Sequence, residues 1–295
     1  MQFKKSTPVL IIILSLSMFY VKILRGQTSN DSLVLKTRKW EIEDLGEGVK
    51  WHHFHFNEKQ IFNSNQNIHY IKFKNKSKKR HIKFADFEDD SLRLTSAFAK
   101  QNGAIAAVNG SFFSVKEGFA VDLIKVDGKV LDTTELVKSK LSFHQKSALV
   151  IHKNTLKILR GDTTDLFWDR HLKQKNVMVT GPLLMYDGKR ELLSKSAFND
   201  NRHPRTCACV THENDVILLT VDGRTAESQG VSLSELSFLM QNLNCKEAIN
   251  LDGGGSTTMY VAGKGVVNMP CDNKKFDHEG ERKVSNILFI RKSEK

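Results

Sequence analysis

The chain has 295 residues, with 45 Lys plus Arg against 33 Asp plus Glu and a formal net charge of +12. Hydrophobic residues make up 40% and charged residues 26%, globular proportions that exclude a disordered chain or a collagen-like fibre. Four Cys in a chain this long are too few for a disulfide scaffold.

Residues 1–26 read as a leader. Lys4 and Lys5 precede an apolar run over 9–21, which is broken only by Ser15 and Ser17 and is followed by the small Gly26. The run falls short of the about 20 residues that a membrane-spanning helix needs. A basic start and a short apolar stretch instead fit a secretory signal, so the expected location is exported: periplasmic, cell-surface or secreted. No stable membrane insertion is expected after cleavage. Removing Lys4, Lys5, Lys22 and Arg25 leaves the remainder basic, which suits an anionic partner such as a phosphorylated glycan or a sugar-phosphate polymer.

Cys207, Cys209, Cys245 and Cys271 would meet an oxidising compartment, and four Cys allow three full pairings. On a strand, Cys207 and Cys209 face the same way and sit too far apart to bridge each other easily. Pairing with Cys245 or Cys271 is the expectation.

Residues 27–295 are expected to form a single domain with a β-rich N-terminal segment over 27–90. Within it, 49–56 alternates, with His52, Phe54 and Phe56 on one side and Trp51, His53 and His55 on the other. Strands are expected over 68–73 and 82–87, joined by the basic turn 74–83. A helix is expected over 91–101, ending at Asn102-Gly103, then a buried strand over 104–108. Asp127-Gly128 and Asp187-Gly188 mark hairpin turns. The strand 215–222 is followed by the clearest helix, 232–243, where Ser232 and Glu235 form a capping box and Leu233, Leu236, Met240 and Leu243 line one face. Further strands are expected over 247–251, 257–262 and 284–291. Many strands with a few helices and no regular alternation give an α+β fold class, a mixed β-sheet core with packed helices.

Chemistry concentrates where apolar strands end. Asn250-Leu251-Asp252 runs into Gly253-Gly254-Gly255 and then Ser256-Thr257-Thr258. Consecutive Gly let backbone N–H groups converge on an anion, and the hydroxyls add donors. The Gly-Lys-Ser/Thr ending of a nucleotide P-loop is missing. Asp222-Gly223-Arg224 closes another strand. If the two strands are parallel neighbours, Asp222 and Asp252 emerge at one sheet edge, where paired carboxylates can run glycosyl chemistry. Arg205, in Arg202-His203-Pro204-Arg205-Thr206, suits bidentate phosphate recognition, and His203 titrates near neutral pH. Asn109 ends the strand before Gly110-Ser111-Phe112-Phe113; it is a candidate for sugar hydroxyls, and the Phe pair is expected in the core. Glu281 is a further candidate carboxylate. His52, His53 and His55 lack nearby Asp, Glu or Cys to complete a metal set, so no metal and no cofactor is expected. Nothing matches a groove-reading DNA module, so no nucleic-acid partner is expected.

The collinear order of NGSFF, TGPLLMYDGK, RHPRT, LLTVDGR, GVSLSELSFLMQNLNCKEAINLDGGGSTTMYV, VVN-P and ERKVSNILFI resembles the phosphodiester glycosidase family over about residues 95–290. Cys207-Ala208-Cys209 departs from the Cys-free small residues that usually follow RHPRT. The resemblance implies an α+β catalytic domain outside the cytoplasm, a glycosidase that cleaves between a sugar anomeric carbon and a phosphodiester oxygen. Carried onto this sequence, the shared pattern covers Asn109, Arg205, Thr206, Asp222, Arg224, Asp252, Gly253, Gly254, Ser256 and Thr257. On this reading Asp222, Asp252, Arg205 and Asn109 are catalytic candidates. Thr206, Arg224, Gly253, Gly254, Ser256, Thr257, His203 and Glu281 are candidates for holding substrate and phosphate. A phosphodiesterase cutting P–O and a non-catalytic glycan or cell-wall binding protein are the alternatives.

Overall fold

The computed structural model describes residues 28–86 and 91–293. The expected leader, residues 1–26, lies outside the described residues. No helix among the described residues is long and apolar enough to cross a membrane.

Three main sheets and a short two-stranded ribbon carry the fold, with few helices. The largest sheet has eight strands, and its centre runs Val49–Ile61, Ser64–Lys74, Asp215–Val221, Arg205–Thr211, Cys245–Asn250. The expected mixed sheet is corrected here: the named strands pair antiparallel throughout. The segment expected to be β-rich joins two sheets, since Val49–Ile61 and Ser64–Lys74 extend the large one and Arg80–Asp86 edges a five-stranded one.

Both faces of the large sheet are covered. Alternation on Arg205–Thr211 sends Ala208 to a core shared with Val49, Trp51, Leu218 and Ile249. Cys207 and Cys209 face the opposite core, with Ile217, Leu219 and helix residues Leu233, Leu236, Leu239 and Met240. That two-sided cover explains why Asp215–Val221 reads as one apolar run: all seven of its residues are buried. Each large aliphatic side chain so buried contributes about 1.5–3 kcal/mol.

The helix Leu233–Asn242 starts at its expected capping box, with Ser232 accepting from the Glu235 N–H and Glu235 accepting from the Ser232 N–H. The helix expected over 91–101 is shorter, Thr95–Gln101, because Arg93–Leu94 pairs as a strand with Lys283–Val284. Both Asp-Gly hairpins form: Ile124–Val126 pairs with Lys129–Asp132, and Leu183–Tyr186 pairs with Lys189–Arg190.

Cys209 and Cys245 are disulfide-bonded across adjacent strands, Cα atoms 5.9 Å apart, while Cys207 and Cys271 are free and buried. The bond closes a 36-residue separation. Loop-closure entropy puts its contribution at about 3–4 kcal/mol. Chemical denaturation of Cys209→Ser/Cys245→Ser should show a loss of that order; an unchanged midpoint would mean that the bond adds nothing to stability.

Candidate functional site

Arg205–Thr211 runs antiparallel to both Asp215–Val221 and Cys245–Asn250, and lies between them. The two flanking strands are therefore parallel to each other without being neighbours. Arg205 pairs with Val221 and Cys207 with Asn250, so Asp222, Asp252 and the start of the central strand meet at one edge. The sequence tied that convergence to the two strands being parallel neighbours; an intervening strand achieves it instead.

At that edge the two carboxylates differ. Asp222 is 1% exposed. Its Oδ1 accepts from Asn268 Nδ2 at 2.7 Å, and its Oδ2 accepts from Asn67 Nδ2 at 2.8 Å and from the Met269 N–H at 2.9 Å. Burial pushes its pKa up to about 6, opposed by these donors. Every donor faces inward, so Asp222 ties together three chain segments. Asp252 stays partly open to solvent, although protein atoms crowd around it. Burial likewise raises its pKa to about 6, opposed by neighbouring Ser256, the Gly253 N–H, Arg282 and His144. Among the described residues, Gly253 makes the formed hydrogen bond to this carboxyl, donating its N–H to Oδ1 at 2.9 Å.

The three glycines have steric causes. Gly254 has φ +61°, and a Cβ there would lie 3.0 Å from Arg224 Nη2. A Cβ on Gly255 would fall 1.8 Å from Asp272 Oδ1 and 2.5 Å from Arg282 Nη2. Gly253 packs on Pro204, whose carbonyl accepts from the Gly254 N–H at 2.9 Å. The loop therefore runs close beneath the exposed Arg224 side chain and the Arg282–Asp272 ion pair. Ser256 and Thr257 are buried beside it, and neither hydroxyl has a hydrogen-bond partner among the described residues.

Other candidates support the loop from behind. Asn109, fully buried, donates to the Asp252 carbonyl at 2.7 Å and accepts from Thr206 Oγ1 at 2.7 Å. Those bonds hold the backbone at Asp252 and occupy the groups expected to meet sugar or phosphate. Arg205 is 1% exposed; Nε donates to the Val231 carbonyl, and Nη2 donates to those of Phe198 and Asn201. Its guanidinium lies 4.8 Å above the Phe198 ring, and burial beside Arg224 lowers its pKa to about 10. The geometry makes Arg205 a brace for the segment 198–201 and not a phosphate clamp; Arg224 is the exposed guanidinium at the loop. His203 is half-buried and pairs through its backbone with Val231, while burial and the two arginines lower its pKa.

Glu281 is corrected outright. Its carboxyl accepts from the Ser96 N–H and hydroxyl, both at 2.7 Å, at the start of the helix Thr95–Gln101. Its neighbour Arg282 reaches the loop instead, where it forms a two-pronged pair with Asp272, 2.7 Å on each arm. Phe113 packs on the core as expected, but Phe112 does not: it joins Phe143, His144 and Phe198 in a separate aromatic cluster. The three early histidines go separate ways, His52 stacking on Tyr70, His53 facing Glu41 and His55 bonding the Glu227 carbonyl.

Asn67, Asn268, Arg282, Asp272, Asp122 and His144 were not singled out by the sequence. Asn268 and Arg282 lie inside the quoted VVN-P and ERKVSNILFI stretches, so those stretches carried a signal. Asn67, Asp122 and His144 lie in no recognisable pattern.

Asp222→Asn would turn an amide N–H₂ toward donors that now face carboxylate oxygens. An unsatisfied buried donor costs about 1–3 kcal/mol, so thermal denaturation at pH 7 should show a clearly lowered Tm. An unchanged Tm would remove Asp222 from this bracing role.

The phosphodiester glycosidase family profile matches residues 102–291. Among curated proteins, an uncharacterized prophage-derived protein of Bacillus subtilis is 30% identical over 97 residues, 32% of this chain and 15% of that protein. The N-acetylglucosamine-1-phosphodiester alpha-N-acetylglucosaminidase of Mus musculus is 34% identical over 87 residues, 30% of this chain and 16% of that protein. The chain thus matches about one sixth of the length of these relatives. Among solved structures, the catalytic domain of the zebrafish enzyme of the same name, auto-inhibited by its pro-peptide, superposes with a TM-score of 0.67 at 18% identity, covering 91% of this chain and 95% of that one. The shared fold and a family match over most of the chain place this protein in the phosphodiester glycosidase family.

Proposed function

We propose that the chain is an exported enzyme that hydrolyses a sugar-1-phosphodiester between the anomeric carbon and the phosphate oxygen. The observation that carries the reading is one partly open carboxyl, Asp252, at the start of a glycine loop over which the exposed Arg224 guanidinium lies at Gly254. Family membership supports the reaction class, and the curated relatives' name makes N-acetylglucosamine the first sugar to test. The Cys209–Cys245 disulfide and the basic charge fit an oxidising compartment and an anionic glycan.

Arg224 binds the phosphate and offsets the charge that builds on it as the C–O bond breaks. Ionised Asp252 stabilises the positive charge developing at the anomeric carbon. A phosphodiester is a weakly basic leaving group and departs without a strong general acid. Asn109, Thr206, Arg205 and Asp222 fix the loop and the strand ends in place, and His203 lines the approach beside Arg224.

The test is release of free sugar from the methyl diester of N-acetylglucosamine α-1-phosphate and its glucose and galactose counterparts. Because the ionised Asp252 is the working form, kcat/KM should fall as pH drops through about 6. Asp252→Asn should lose about 10²–10⁴-fold. Arg224→Ala should raise KM roughly 10- to 150-fold, equivalent to about 1.5–3 kcal/mol for hydrogen bonds to a charged group. Full activity in Asp252→Asn would overturn the assignment.

A further inference from the structure

The geometry points to a second working group near Asp252: a His144–Asp122 dyad that takes the proton from the attacking water. The inference rests on the glycosidase reading above and names a group that the reading lacks.

His144 sits in the short 3-10 turn Phe143–Gln145, and its Nδ1 lies 2.5 Å from Asp122 Oδ2. Asp122 is completely buried. Its other oxygen accepts from Gln145 Nε2 at 2.8 Å, and the same Gln145 nitrogen donates to the Glu135 carbonyl at 2.9 Å. The Gln145 amide N–H₂ can only donate, so Asp122 Oδ1 accepts from it, and Oδ2, as a carboxylate oxygen, accepts from His144. Nδ1 of His144 is then the protonated nitrogen, and Nε2 is the basic one. Nε2 has no protein partner among the described residues, and the side chain keeps 17% of its surface open. A buried carboxylate that fixes the tautomer and angle of a partly open imidazole is the arrangement that general-base catalysis requires.

Its location ties it to Asp252 by two routes. The Gly110 carbonyl accepts the Asp252 N–H at 3.0 Å, and two residues further on the Phe112 ring stands 5.1 Å from the His144 ring. On the other side, Asn250 Nδ2 donates to the Gly181 carbonyl at 2.9 Å, and a Cβ on Gly181 would lie 3.2 Å from His144 Cα. A charge on His144 also acts on the Asp252 carboxyl.

In the step, the water oxygen bonds the anomeric carbon while one of its protons passes to His144 Nε2. The C–O bond to phosphate breaks with its electron pair on the phosphate oxygen. The products are free sugar and a phosphomonoester, and the imidazolium returns its proton to solvent. Asp122 keeps Nδ1–H in place throughout and balances the transient positive charge.

The experiment uses the full chain, the three methyl diesters and sodium azide, an anion that attacks carbon without losing a proton. His144→Ala should cut hydrolysis by about 10²-fold or more. Azide should restore turnover and give a glycosyl azide, while leaving wild type little changed. Asp122→Asn should lower turnover in the same direction, by less. His144→Gln keeps a donor toward Asp122 and carries the same test if the alanine variant folds poorly. Wild-type turnover with an equally active His144 variant, or a slow variant that azide does not rescue, would overturn the dyad alone. A wild-type chain that releases no sugar would overturn the glycosidase reading and this step with it.

Discussion

The site depends on one strand, Arg205–Thr211, running antiparallel between two others. That placement forces Asp215–Val221 and Cys245–Asn250 to point the same way, so that the residues after them leave the sheet at one edge. Asp222 and Asp252 stand together because of this pairing, although 30 positions of chain separate them. The central strand is narrow in side-chain volume for a reason. Ala208 faces one core, while Cys207 and Cys209 fit beneath the helix Leu233–Asn242, with Cys209 bonded to Cys245 on the next strand.

Around that edge, polar groups divide into those spent on structure and those left unspent. Asn109, Thr206, Arg205, Asn67 and Asn268 are buried and hydrogen-bonded among themselves, to carbonyls or to the Asp222 carboxylate. Breaking any of these would strand a buried partner, which is costlier than the bond itself is worth. Arg224, exposed apart from a 3.8 Å contact of Nη1 with Cys271 Sγ, partly open Asp252 and His144 Nε2 belong to the second group. A rigid inner layer with a few open charged groups above it is how a site is held ready before substrate arrives. The glycine loop lets the two layers approach: side chains at 254 and 255 would collide with Arg224 and with the Asp272–Arg282 pair.

Much of this was legible in the sequence, and the limits are physical. Apolar runs, the Ser232–Glu235 capping box and the Asp-Gly turns are local signals, and they located the elements to within a few residues. The shared orientation of Cys207 and Cys209 followed from strand alternation. Strand order was not legible, because pairing is set by contacts far apart in sequence; the sequence could give adjacency of the two carboxylate-bearing strands only as a condition, and Arg205–Thr211 lies between them. Arg205 and Arg224 look alike as letters. Only the fold brings the carbonyls of Phe198, Asn201 and Val231 around the first and leaves the second exposed. Glu281 and Arg282 are adjacent in sequence, yet Glu281 bonds Ser96 and Arg282 pairs with Asp272, and the sequence favoured the one at the helix start. His144 and Asp122 belong to no spacing pattern, because a short turn and a loop bring them together in space.

The central claim is that water attacks the sugar carbon and not phosphorus. Hydrolysis of the N-acetylglucosamine α-1-phosphate methyl diester in oxygen-18 water tests it directly, with the products read by mass spectrometry. The account predicts label at the anomeric hydroxyl of the released sugar and none in methyl phosphate. Label in the phosphate product would mean P–O cleavage and would contradict it.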